Sequence, residues 1–81
     1  MGEETLRKAM AAAIRTVLER GLRKTDDPIT YLRLAAEEVR QLVDLFEEQG
    51  GAERPDGAMI RAILADEVEI AVQGMIRRLH H

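Results

Sequence analysis

The chain has 81 residues, 46% hydrophobic and 33% charged, with a formal net charge of −3 and no cysteine. That is one domain, near the size at which a single core is only marginally sufficient. Disulfides and thiolate metal sites are excluded. Serine is absent too, so neither serine nor cysteine nucleophiles can operate. Asparagine and tryptophan are also missing, and arginine outnumbers lysine ten to two. Such a composition fits a heat-adapted source or a de novo designed sequence. No apolar run approaches the roughly 18 residues of a membrane span, and the first residues lack the basic and apolar blocks of a signal peptide. The expectation is a cytoplasmic protein with no membrane partner.

Three helices are predicted in a single domain covering residues 1–81. The first runs over about residues 3–20, with Leu6, Met10, Ala13, Ile14, Val17 and Leu18 recurring at three- and four-residue steps. Gly21 is a natural stop. Asp27-Pro28 then opens a second helix over about 28–49, the carboxylate capping free amides and the proline taking the first helical position. Its apolar positions include Ile29, Leu32, Ala36, Val39, Leu42, Val43 and Phe46, and Gly50-Gly51 ends it. Pro55-Asp56-Gly57 punctuates the next link, with Asp56 placed to cap a third helix over about 57–79. Ile60, Ile63, Leu64, Val68, Val72, Met75 and Ile76 repeat the pattern there, and Arg77 and Arg78 sit in the last turn, where cations suit the helix dipole. Both links are short, which favours antiparallel neighbours. The fold class expected is all-α, a three-helix antiparallel bundle.

On a helical wheel the second and third helices carry apolar arcs of about 220°, against the 100° or somewhat more that one core requires. The surplus on the second is Tyr31, Leu34 and Leu45; on the third it is Val72, Ile76 and Leu79. Burying such side chains is worth about 1.5–3 kcal/mol each, so a small domain gains by covering them. These six are the expected interface of a homodimeric helical bundle, a two-fold axis being the simplest way to satisfy them. The alternative is a monomer whose first helix hides most of this surface. Met10, Met59 and Met75 would suit an adaptable groove for another protein, or plain core.

Two carboxylates interrupt the arcs: Glu38 among Tyr31, Leu34, Leu42 and Leu45, and Glu67 among Ile60, Ile63, Ala71 and Gly74. A carboxylate facing a core is costly unless it is paired or binds a metal. Arg7 and Arg20, which break the first helix's apolar arc, are the candidate cations. The other reading is a carboxylate cluster on facing helices holding Mg²⁺ or Mn²⁺.

Glu37-Glu38-Val39-Arg40-Gln41, followed by Asp66-Glu67-Val68-Glu69, resembles the paired acidic motifs of the all-α nucleotide pyrophosphohydrolases of the MazG type. The likeness spans about 35 residues, from Ala35 to Glu69. It implies a magnesium site around a nucleotide triphosphate, with Glu37, Glu38, Asp66, Glu67 and Glu69 as the candidate ligand region. Gln41 stands where that family has a third acid, and Asp66 with Glu69 keeps the family's spacing in reversed order, so the implied carboxylate site is a degenerate one.

Charge is segregated. Residues 6–25 hold six basic residues against Glu19, and residues 26–56 hold nine acids against Arg33, Arg40 and Arg54. A basic first helix could meet phosphates, which makes a nucleic-acid-binding regulator a third reading. Against it stand the acidic balance, the scarcity of stacking aromatics and the absence of a helix-turn-helix spacing. Pairing of the first helix with the second, in its own chain or a partner's, accounts for the same pattern. His80 and His81 would point about 100° apart, make no two-ligand metal face, and fit a tag remnant. The sequence thus favours a non-catalytic interaction or oligomerisation module that needs no cofactor.

Overall fold

A computed structural model of the chain describes residues 2–80; His81 lies outside them. Three α-helices, α1 (Glu3–Leu22), α2 (Pro28–Glu48) and α3 (Gly57–Leu79), are joined by a short link and by a 3-10 turn at Gly51–Glu53. There is no strand among the described residues. The predicted helices are therefore observed with ends shifted by at most two residues. The largest shift is at Gly21, which does not stop α1. A Cβ there would collide with the ring of Tyr31, so Gly21 is the point where α2 comes close to α1. Gly51 does the same service for the ring of Phe46, and Gly50 supplies the left-handed φ of 76° that turns the chain after α2.

The helix starts differ. Glu3 and Glu4 lie in the first turn of α1, where carboxylates favour the dipole. At α2 the cap is made as expected: Thr30 N–H donates to Asp27 Oδ1 at 3.2 Å and the Thr30 hydroxyl to Oδ2 at 2.7 Å, with Pro28 in the first turn. Asp56 does not cap α3 through its side chain. It adopts φ 62°, a left-handed conformation in which the carboxylate makes no capping hydrogen bond.

The core joins all three helices. Leu18 of α1, Leu32 and Ala36 of α2, and Val68, Val72 and Met75 of α3 form one buried cluster, with Ile14, Leu22, Tyr31, Val39 and Ile76 packed around it. Ile63 and Val43 are buried outside that cluster. Val72, expected at a partner surface, is 2% exposed and belongs to this interior. The physical reason is that α3 lies against both α1 and α2, so the middle of its broad apolar arc is covered by two neighbours within one subunit.

The candidate interaction surface and the carboxylates

Among the described residues, eight hydrophobic side chains are buried while seven large ones remain exposed: Val17, Leu34, Leu42, Leu45, Ile60, Ile70 and Leu79. The seven are spread over all three helices, and only a contiguous set among them would make a surface. Of the six interface residues expected from the sequence, Leu34, Leu45 and Leu79 are exposed. Tyr31 and Ile76 are half-buried against the core, and Val72 is lost to it. Val17, Leu42 and Ile60 belong to the apolar periodicity of their helices, and Ile70 lies outside it. Val17 and Leu42 share the core's periodicity and stay exposed, Val17 because α1 and α2 stand apart beside it.

That spacing creates a groove of about 450 Å³. Ala13 and Val17 of α1 form one wall, Leu34 and Glu38 of α2 the other, and Leu64 and Val68 of α3 the floor. The two helices touch closely at the Gly21–Tyr31 end and part along the groove, so α3 is not fully roofed. Leu34, Glu38, Leu42 and Leu45 follow the three- and four-residue spacing of one face of α2, so the groove wall continues as an apolar stripe broken by one carboxylate.

The two interrupting acids have opposite fates. The side chain of Glu67 is 12% exposed and accepts a hydrogen bond from Arg7 Nη1 at 3.2 Å. Asp66 lies 3.5 Å from the same nitrogen and Glu3 3.7 Å from Nη2. The hydrogen bond to Glu67, with the fields of Glu67, Asp66 and Glu3, holds the Arg7 guanidinium above its ordinary pKa against the cost of desolvation. This is the ion pair expected for Glu67. Glu38, by contrast, is exposed at the groove and forms no ion pair among the described residues.

The five acids of the magnesium reading are not drawn together. Glu37 and Glu38 stand exposed on α2, Arg7 holds Asp66 and Glu67, and Arg40 Nη2 donates to Glu69 at 3.1 Å. No group of three or more metal-ligating side chains is assembled among the described residues. Three of the five acids are engaged by arginines, so the ligand set that the resemblance implies is not assembled here.

The basic segment is also partly spent. Arg7 serves Glu67, and Lys8 lies 3.6 Å from Glu4 on its own helix. Arg15, Arg20, Arg23 and Lys24 remain exposed. No described helix is long and apolar enough to cross a membrane. In comparisons with known proteins, no family model, no curated protein and no solved structure matches the chain.

Proposed function

We propose that this protein is a non-catalytic association module, a homodimeric bundle that serves as an adaptor, regulator or assembly element through apolar helix surface rather than through a reactive group. The observation that carries this reading is the open groove between α1 and α2 with the exposed stripe Leu34, Leu42 and Leu45 beside it. Removing such a surface from water is favourable by about 25 cal/mol per Å² of apolar area, and a chain of this size has little other stability to spare. The bundle we propose is antiparallel between successive helices, a reading that the ion pairs support. Arg40 pairs with Glu69 while the later Glu47 pairs with the earlier Arg61, which supports α2 running antiparallel to α3. Arg7 meets Glu67, and Glu19 and Leu22 share a crevice with Met75 and Leu79, which supports α1 running alongside α3 in the same direction.

Analytical ultracentrifugation at micromolar concentration tests the reading. The expected result is a species of twice the 9.1 kDa chain mass, with a melting temperature that rises with protein concentration. A monomer throughout the micromolar range overturns it.

A further inference from the structure

The groove between α1 and α2 is not tied shut by charge. Every ion pair among the described residues lies within α1, between α1 and α3, or between α2 and α3. Segregated charge was expected to tie the first helix to the second, and within one subunit it does not. Glu38 is the one charged residue that lines the groove; it stands in the α2 wall one turn from Leu34 and has no ion pair.

That carboxylate restricts what can lie there. Glu38 shares a row of α2 with Leu34, Leu42 and Leu45. The row is about 16 Å long at about 1.5 Å per residue, or about three turns. Whatever covers Leu34 and Leu42 also covers the carboxylate between them. Taking a carboxylate out of water with no cation beside it offsets much of what burying the neighbouring leucines gains. The best occupant therefore brings a cation to this one position and apolar side chains on either side of it.

No helix of this chain presents such a row among the described residues. Val17 is the one large exposed hydrophobic of α1, and Ile60, Ile70 and Leu79 are nine or ten residues apart on α3, too far to adjoin. The row on α2 is itself centred on an acid. A second copy can cover the leucines but has no apolar row that carries a cation to Glu38.

We propose that the α1–α2 groove is a docking site for an amphipathic helix of another protein, whose apolar face, about three turns long, carries one Lys or Arg at its middle to pair with Glu38. Its apolar side chains enter between Val17 and Leu34, over the floor of Leu64 and Val68. Apolar burial supplies the affinity. Glu38 sets the register and rejects a helix with an acid at that position. This goes beyond self-association, because it names the partner of an adaptor and displaces a second copy from the stripe.

The probe is a set of three labelled synthetic peptides of about 18 residues, long enough to form helix. They are identical except at the centre of the apolar face, which is Lys, norleucine or Glu. Fluorescence anisotropy with the full chain reads their dissociation constants. Affinity should fall in that order, the Lys peptide binding at least about tenfold more tightly than the Glu peptide. Glu38→Lys should reverse the order of the Lys and Glu peptides while circular dichroism stays helical, since Glu38 is exposed and unpaired in the subunit. Val17→Glu with Leu34→Glu should weaken the Lys peptide about tenfold or more, these residues being 62% and 54% exposed. Leu79→Glu, in a separate crevice with Leu22 and Met75, should leave it bound.

Equal affinity for the Lys and norleucine peptides, an order unchanged by Glu38→Lys, or no binding of the Lys peptide up to about 1 mM overturns the proposal. Sedimentation of the chain alone reads self-association separately. A dimer that binds none of the peptides leaves the homodimer standing without this partner, and a monomer that binds them in the expected order does the reverse.

Discussion

The second and third helices show apolar arcs of the same width in the sequence, and the fold spends them differently. α3 lies between two neighbours, so Val68, Val72 and Met75 are all within 5% of full burial and the middle of its arc is used up inside the subunit, while Ile60, Ile70 and Leu79 on the same helix stay exposed. α2 presents one side to α3 and touches α1 closely at the Tyr31 end, and the remainder of its arc, Leu34, Leu42 and Leu45, stays at the surface. Arc width therefore reports how many neighbours a helix has. It does not say whether they belong to the same molecule. The case for a partner rests on α2 and the facing wall of α1, and α3 contributes the groove's floor.

Truncating one side chain on each helix should expose that difference. Val72→Ala removes two carbons from a well-filled interior and should destabilise the fold by about 2 kcal/mol, or some 8–16 °C in a domain of this length, by an amount independent of protein concentration. Leu34→Ala should leave the melting temperature of dilute protein nearly unchanged, as exposed substitutions do, and should flatten its rise with concentration. Thermal melts of both variants over a hundredfold range of concentration check this. A large loss for Leu34→Ala in the dilute limit would mean that α2's stripe is covered within the subunit after all.

What could be read from the sequence followed from local rules. Three-residue and four-residue periodicity, the Asp27-Pro28 start and the Gly50-Gly51 stop locate α1, α2 and α3 because each depends on a few adjacent residues. The Glu67–Arg7 pair was legible because each residue interrupts an apolar arc and such interruptions need partners. What escaped depends on the distance between helices. Nothing local separates Leu42, which is exposed, from Val43, which is 6% exposed, or predicts that Glu38 faces water while Glu67 is nearly enclosed. Gly21 was misread for the same reason: its lack of a side chain serves the ring of Tyr31 on another helix and does not end its own.

The contrast between those two acids gives a second, smaller effect. Arg7→Met leaves the Glu67 carboxylate, 12% exposed, without its cation and hydrogen-bond donor, and the melting temperature should fall by several degrees. Adding Glu67→Gln should recover part of that loss, since an amide tolerates the site better than a lone carboxylate; the double-mutant cycle measures the coupling. Glu38→Gln should leave the dilute melt unchanged, because that carboxylate has no ion pair in the subunit to lose. Equal losses at the two positions would show that exposure does not separate them.

The smallest difference lies at the starts of the same two helices, each marked by an aspartate. Thr30, through its hydroxyl and its backbone N–H, holds the Asp27 carboxyl below the usual carboxylate range. A carboxyl so depressed adds stability that is complete above its unfolded value of about 3.9 and is lost as pH falls through the lower folded value. Asp27→Asn keeps a good capping side chain with no proton to take up, so its melting temperature should vary less than the wild type's between about pH 5 and pH 2. Asp27→Gly should lower the melt at neutral pH, since the hydrogen bonds to Thr30 go with the side chain. Asp56→Gly should change it little: relief of a left-handed φ of 62° offsets the greater freedom of the unfolded chain, and no capping bond is lost. If Asp56→Gly proved the more damaging of the two, Asp56 would be holding the start of α3 by some contact other than a cap, and the link before α3 would have to be counted among the elements that fix its place between α1 and α2.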